Sequence, residues 1–268
     1  MPSSRRRAVV TRNLLVACLA VNSGATDALG YVALGGAFTS VMTGNLVLLG
    51  LSGPERDGAL AARVGAAILL YILGCAVGAR IAGAPDTADG LWPAGVSRGL
   101  AAEAVIVVVN AGLWWLHDGH PAGGIQLVML ALNALALGIQ GSSVQRFGVS
   151  GLSTTYLTGT LTSLVAHFTH RRPAGKMALS GLILVSFVVG AIAIAALIEH
   201  APEFAPCIPI ASLGLVLTAS RPVSRMGRDQ QTGPVSVGQR GQDDVGCGPV
   251  SRDLATRKIL GCDPHRHR

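Results

Sequence analysis

Apolar residues in this chain are gathered into eight runs, and short polar or basic segments separate one run from the next. A transmembrane helix needs about 20 apolar residues, which most of the runs supply. The second run has only 14 residues and the sixth is interrupted by hydroxyl side chains, so either suits a re-entrant path as well as a crossing. We predict an all-α polytopic membrane protein with about six to eight transmembrane segments. The runs cover 14–36, 38–51, 60–81, 99–116, 124–143, 149–168, 177–198 and 204–219.

The composition excludes an ordinary soluble protein. Half of the 268 residues are hydrophobic, only 13% are charged, and the mean hydropathy is +0.51. Soluble domains carry about 25% charged residues. The chain has 35 glycines but only 4% aromatic residues, a balance typical of closely packed membrane helices. The lipid bilayer is therefore the first partner that the sequence predicts.

The net charge of +7 is concentrated at the two ends of the chain. Residues 1–12 form a basic N-terminus, 13–219 the membrane domain, and 220–268 a basic tail without helical or alternating apolar periodicity. Positive segments flanking membrane helices stay in the cytoplasm, so both termini are expected there. The tail is predicted to be disordered. We expect no nucleic-acid partner, because the tail lacks a basic stripe interleaved with aromatic residues.

The cysteines predict neither a disulfide framework nor a zinc site, since none of the five forms a CxxC pair. Cys262, His265 and His267 could ligate a metal in principle, but a basic terminus explains them more simply. No GxSxG, P-loop or HExxH motif is present. We therefore expect no cofactor, no metal and no enzymatic activity.

Two stretches of the chain resemble each other, which indicates an internal repeat. Thr43-Gly44-Asn45-Leu46 aligns with Thr158-Gly159-Thr160-Leu161. The halves then cover about 13–117 and 124–219. If all eight runs cross the membrane, the repeat is parallel; if the two TG segments are re-entrant, it is inverted, as in many secondary transporters. Segment length favours the version with fewer crossings.

Asp27 is the main candidate for an ionisable site, because it lies about halfway along the first run. A charge at membrane depth costs a few kcal/mol or more and marks a site by default. It could bind a proton, a cation or a polar solute. The alternative is a packing carboxylate satisfied by neighbouring Ser, Thr and Asn side chains. Asn22 and Ser23 lie near it on the helix, and Ser23 shares its face.

The two TG steps are the second candidate. Thr43, Gly44 and Asn45, like Thr158, Gly159 and Thr160, combine a hydroxyl, a bare backbone step and a polar side chain. Broken helices at such steps can expose backbone groups that coordinate an ion or solute. The alternative is helix packing, with the hydroxyls bonded to their own turn.

In the second half, Gln140 falls close to the position equivalent to Asp27, and Ser142 occupies the aligned position. The carboxylate is thus not duplicated, which favours one asymmetric charged site. Glu103 lies near the start of the fourth run and is expected at the membrane interface.

The same residues carry a resemblance to the YoaK family of small bacterial membrane proteins. The first matching stretch includes Ser23-Gly24-Ala25-Thr26-Asp27-Ala28, Phe38 and Met42-Thr43-Gly44-Asn45-Leu46. The second includes Gly138-Ile139-Gln140 and Ser153–Thr162. The resemblance covers about residues 12–219, and it departs in the tail and at Gly141-Ser142 after the Gln, where the family has Asn-Ala. It implies a permease-like protein of the bacterial cytoplasmic (inner) membrane with no established activity.

The leading hypothesis is a small secondary transporter or permease for an unknown small solute or ion. Asp27 would be its ionisable group, and the TG segments would line a midplane cavity. The alternative is a non-transporting scaffold or assembly partner whose polar residues only pack helices. A homo-oligomer is compatible with both hypotheses. A transporter needs a water-accessible cavity that reaches the carboxylate, whereas a scaffold needs none.

Overall fold

The computed structural model describes residues 3–84, 91–147 and 174–229, together with Gly159, Leu161, Thr162 and Val165. The described chain is helical and contains no strand. Its helices are α1 (Ser3–Ala33), α2 (Met42–Glu55), α3 (Gly58–Ala82), α4 (Ala94–Leu116), α5 (Gly124–Gln145), α6 (Ala174–His200) and α7 (Cys207–Asp229), with a short 3-10 helix (Pro202–Phe204) between α6 and α7.

Six of these helices are long and apolar enough to cross a membrane, and α2 is the exception. Large apolar side chains lie exposed on these helices, such as Leu69 on α3 and Ile192 on α6, as expected of a protein surface that faces lipid. The prediction of an all-α polytopic membrane protein is therefore confirmed.

Contacts between the helices fix their directions. α1 and α5 are antiparallel, because Gln126 near the start of α5 donates to the Ala33 carbonyl while Gln140 near its end donates to the Leu19 carbonyl. α1, α4 and α6 run from the side where α1 begins, called here the N side, to the far side, and α3, α5 and α7 return. α4 is antiparallel to α5, with Asn110 on Met129 and Gly99 against Ser143, and α3 is parallel to α5, with Gly74 against Leu135 and Gly78 against Ser142. Shared buried clusters show the other two directions: Ala25 with Ile194 and Val16 with Ile183 for α1 and α6, and Trp114 with Ile208 and Val96 with Val216 for α4 and α7.

Residues 34–55 form a re-entrant hairpin, which enters and leaves the bundle on the far side. Gly35 and Gly36 have φ of +99° and +83°, the left-handed region that glycine adopts readily, and turn the chain back along α1. Gly30 then lies against Ala37 and Thr39. α2 carries the chain outward over about 21 Å. The 14-residue run thus does not cross.

Glycines set the closest approaches between helices. Gly74 on α3 lies against Leu135 of α5, and Gly138 on α5 lies against Tyr71 of α3. α1 and α6 meet in the same way, with Gly24 against Phe187 and Gly190 against Val21. A side chain at any of the four glycines would collide with backbone, so the small residues set the spacing of these helices.

Three helix boundaries differ from the predicted runs by five residues or more. α1 begins at Ser3 rather than at residue 14, α4 begins at Ala94 rather than at Gly99, and α7 continues to Asp229, past the predicted start of the tail at Ser220. Pro93 starts α4, since proline suits the beginning of a helix but not its interior. The tail beyond 229 and most of the second TG segment lie outside the described residues.

Candidate functional site

Asp27 is buried and holds the hairpin against α1. Its Oδ1 accepts hydrogen bonds from the Thr39 backbone N–H (2.7 Å), the Thr39 hydroxyl (2.9 Å) and the Ser40 backbone N–H (2.6 Å). Its Oδ2 accepts from the Ser40 hydroxyl. These two residues lie just before Val41, the N-cap of α2, and negative charge is favoured near the N-terminus of a helix. Both oxygens of the carboxyl are therefore used inside the protein.

Asn45 closes the same hairpin from the other side. Its Oδ1 accepts from the Phe38 backbone N–H (2.9 Å) and its Nδ2 donates to the Phe38 carbonyl (2.7 Å). Gly44 lies beside the Phe38 ring, which stacks on Tyr31 with 5.0 Å between the ring centroids. The side chain of Thr43 is exposed. In the first TG step, Asn45 therefore shapes the backbone.

A second group of polar side chains lies in the bundle between α1, α4 and α5, and we call it the Glu103 cluster: Asn22, Ser23, Glu103 and Gln140. Asn22 Nδ2 donates to Glu103 Oε1 (2.9 Å) and to Gln140 Oε1 (2.8 Å). Gln140 Nε2 donates to Ser23 Oγ (2.7 Å) and to the Leu19 carbonyl (3.3 Å). All four side chains are almost completely buried.

The hydrogen bonds fix the orientation of both amides in the Glu103 cluster. Gln140 must direct its NH₂ group to the Leu19 carbonyl, which only accepts, so its oxygen faces Asn22. Asn22 must then present its NH₂ group to both Gln140 and Glu103. This leaves Asn22 Oδ1 and Glu103 Oε2 buried without a hydrogen-bond partner among the described residues.

The cluster lies deep in the membrane domain. Glu103 is nine residues from the start of α4, or roughly 14 Å along the helix axis, close to half of a hydrocarbon core about 30 Å thick. An ionised carboxylate in such surroundings costs several kcal/mol unless it is paired. The charge of Glu103 therefore has to be removed by a proton or balanced by a cation.

The structure distributes the predicted candidates over two places. Ser23 and Gln140 meet in the Glu103 cluster, whereas Asp27, Gly44 and Asn45 belong to the hairpin. Of the remaining candidates, Thr43 and Gly159 are exposed, and Thr158 and Thr160 lie outside the described residues.

Glu103 was expected at the interface, and that expectation is wrong. The side chain is completely buried, because α4 begins five residues before the apolar run and moves Glu103 more than a turn deeper. One signal in the sequence could have found it: Glu103, Val107, Asn110 and Trp114 follow the 4-3-4 spacing of one buried helix face.

No group of three or more His, Cys, Asp or Glu side chains that could hold a metal ion occurs in the described parts of the chain. The Glu103 cluster supplies one carboxyl and neutral oxygens, which fit a proton or a monovalent cation better than a divalent metal.

Six crossing helices, a re-entrant hairpin and a buried carboxyl define a multi-pass integral membrane protein. The family model described as "Protein of unknown function (DUF1275)" matches residues 15–219. The chain belongs to this family. It is 31% identical over 226 residues to the UPF0700 transmembrane protein YoaK of Bacillus subtilis (strain 168), covering 81% of this chain and 98% of that protein. No solved structure matches it. The resemblance to the YoaK family is thus confirmed.

Proposed function

We propose that this protein is a small secondary transporter whose solute or ion path passes the Glu103 cluster. The observation that carries the proposal is the buried Glu103 carboxyl, which has one oxygen on Asn22 and the other without a partner. A carboxyl that only packed helices would be expected to use both oxygens, as Asp27 does. Ionisable residues inside membrane domains commonly mark proton relays and ion pathways.

The two unpartnered oxygens of the cluster suggest what binds there. Glu103 Oε2 and Asn22 Oδ1 both accept hydrogen bonds, and no described side chain donates to either. A proton on the carboxyl would add a donor, and a monovalent cation would be coordinated by the oxygens. In either case a bound positive charge neutralises the buried carboxyl, which is the property that a coupling ion requires.

The packing of the two halves supports this class of function. The repeat pairs α1 with α5 and α3 with α6, so the α1–α6 contact is the counterpart of the α5–α3 contact. Both contacts rest on reciprocal glycines. The helices that correspond in the repeat, such as α1 and α5, run in opposite directions. This supports an inverted repeat, the common plan of secondary transporters.

We also propose that both termini are cytoplasmic and that the protein resides in the bacterial cytoplasmic membrane. Among the residues whose side chains the structure describes, the charged ones near the N side are all basic, while those near the far side are mainly acidic. Cytoplasmic loops carry the excess of Lys and Arg, which supports a cytoplasmic N side. The N-side set is Arg6, Arg7, Arg12, Arg80, Arg98, Arg146 and Arg221; the acidic far-side set is Glu55, Asp57, Asp118, Glu199 and Glu203.

The test is to reconstitute the full chain in proteoliposomes on a solid-supported membrane and to jump the concentration of H⁺, Na⁺ or K⁺ in turn. Binding of an ion at a buried site displaces charge and gives a transient current. We expect a current with one of the three ions in the parent and in Asp27→Asn, and its loss in Glu103→Gln. Circular dichroism and melting temperature of each variant in detergent serve as the folding control.

A parent protein that gives no current with any of the three ions would contradict coupling at Glu103. A current that persists in a folded Glu103→Gln protein would place the binding site elsewhere. A current lost in Asp27→Asn but kept in Glu103→Gln would return the ionisable role to Asp27.

One observation favours a second candidate, the non-transporting scaffold. Asp27 and Asn45, two of the predicted pathway residues, have their hydrogen bonds filled by the hairpin backbone and hydroxyls. An absence of current together with a stable assembly of several copies in detergent would favour this candidate. We do not propose an enzymatic reaction at the cluster, because its one hydroxyl, on Ser23, already donates to the Leu19 carbonyl.

A further inference from the structure

A small cavity lies between α1, α4, α5 and the start of α7, on the far side of the Glu103 cluster. Its walls include Leu29, Trp114, Met129, Pro206 and Pro209, and its polar side chains are Asn110 and Asn133. The volume available to the centre of a water molecule is about 20 Å³. One water needs about 10–15 Å³ by this measure, so the cavity has room for a single water-sized molecule.

The two asparagines leave one acceptor and one donor unused. Asn110 Nδ2 donates to the Met129 carbonyl (3.0 Å) and to Asn133 Oδ1 (2.6 Å). Because a backbone carbonyl only accepts, Met129 fixes the orientation of the Asn110 amide, and Asn110 in turn fixes that of Asn133. Asn110 Oδ1 and Asn133 Nδ2 are buried without a hydrogen-bond partner among the described residues.

Leaving such groups unpaired is costly, about 1–3 kcal/mol for each. Both side chains are about 95% buried, with exposed fractions of 5% and 4%. The surrounding walls cannot supply the missing partners, because Pro206 and Pro209 have no backbone N–H and the other wall side chains are apolar or already bonded. A molecule that donates to Asn110 Oδ1 and accepts from Asn133 Nδ2 would satisfy both groups. Water has this chemistry and this size.

The cavity and Glu103 lie along the same face of α4. Asn110 lies seven residues from Glu103, so both side chains occupy the same helix face, and Val107 lies between them. On α5, Asn133 and Gln140 are separated by the same seven residues. Val107 is buried and lines the cavity, so it is the α4 side chain that separates the cavity from the cluster.

We propose that this cavity is a binding site for one exchangeable water molecule held by Asn110 and Asn133, and that it is the far-side access to Glu103. The binding of water is independent of transport, whereas the role as an access step rests on the proposed function. Val107 then forms an apolar barrier, about one helical turn thick, between the bound water and the carboxyl.

The test is X-ray hydroxyl-radical footprinting of the full chain in detergent, read by mass spectrometry. Radicals made from a bound water oxidise the side chains beside it, and Met129 and Trp114 are both reactive and 1% exposed. Trp92 is the matched control, since it is 2% exposed but lies outside the cavity. We expect Met129 and Trp114 to be oxidised several-fold faster than Trp92, with the ¹⁸O label incorporated after mixing with H₂¹⁸O.

Equal, slow oxidation of all three side chains in the parent would overturn the water site, and this comparison needs no variant. Asn110→Leu/Asn133→Leu should reduce the oxidation of Met129 and Trp114 to the rate of Trp92. Glu103→Gln should leave the oxidation unchanged, so a failure of the proposed transport does not affect this result. The access role predicts that Asn110→Leu slows the ion-jump current of the parent several-fold; an unchanged current with the water lost would overturn that role.

Discussion

At the residue scale, two buried carboxyls of the described chain have opposite environments. Asp27 has four hydrogen-bond donors around its two oxygens, all from Thr39 and Ser40. Glu103 has one donor, the Asn22 amide, and one oxygen without a partner. The hydrogen bonds of Asp27 stabilise a backbone conformation, whereas Glu103 keeps one oxygen available for a ligand.

This difference leads to a prediction for Asp27. In Asp27→Asn, the amide oxygen can keep the three bonds that Oδ1 accepts, and the NH₂ group can donate to the Ser40 hydroxyl. In Asp27→Ala, the buried N–H groups of Thr39 and Ser40 lose their acceptor, at a cost of about 3 kcal/mol in free energy of unfolding. We expect Asp27→Ala to melt well below Asp27→Asn when both are followed by circular dichroism in detergent.

If Asp27→Ala and Asp27→Asn melt together near the parent, the carboxyl does not anchor the hairpin. Thr43→Ala is a suitable control, because Thr43 is exposed and lies in the same hairpin. It should leave the melting temperature close to that of the parent.

The residues of the site could be predicted only in part, and the reason differs from case to case. Asp27 is conspicuous in the sequence because charge is rare at membrane depth, but its partners lie in a non-helical segment that no periodicity describes. Gln140 was found through the repeat. Glu103 was missed because its depth depends on where α4 begins, and helix boundaries are the least certain feature of a sequence.

At the scale of helices, reciprocal glycines hold the bundle together. Gly190 on α6 meets the backbone of α1, and Gly74 on α3 meets the backbone of α5. Gly181 on α6 and Gly65 on α3 have open space beside them. Each contact glycine therefore has a control on its own helix.

We expect Gly190→Ala and Gly74→Ala to lower the free energy of unfolding by about 1–3 kcal/mol or more, because the added methyl group pushes two backbones apart. Gly181→Ala and Gly65→Ala should be neutral or slightly stabilising, since alanine favours the helix by up to about 1 kcal/mol. The melting temperatures of the four variants, measured in one detergent, test this prediction. Equal effects at contact and control positions would contradict the role of the glycines in packing.

The elements themselves were largely predictable from the sequence. The long apolar runs became the crossing helices because nothing but a helix satisfies the backbone in lipid. The 14-residue run could be recognised as too short to cross, but its return to the far side depends on Gly35, Gly36 and the bonds to Asp27. Those contacts are tertiary, so length alone left the crossing open.

At the scale of the whole molecule, six crossings place both ends of the described chain on one side of the membrane. The hairpin makes a specific prediction for topology, because Glu55 at its end and Asp118 after α4 then both lie on the side opposite to the ends of the described chain. In a version with eight crossings, both positions would lie on the same side as those ends.

We therefore expect Glu55→Cys and Asp118→Cys, each in a background without the five native cysteines, to react with a membrane-impermeant maleimide from outside the cell. Arg221→Cys should react only after the cells are opened. Labelling of Glu55→Cys from the inside alone would contradict the re-entrant hairpin, and the reverse pattern at all three positions would contradict the proposed orientation.

The hydrogen bonds of α1 also have a consequence for synthesis of the chain. The partners of Asp27 follow it by only 12 and 13 residues, so they are synthesised shortly after α1. The partners of Asn22, which lies on the same helix, follow it by 81 residues for Glu103 and by 118 residues for Gln140. The hairpin can therefore form while the chain is still being translated, and the Glu103 cluster closes only when the fifth helix arrives.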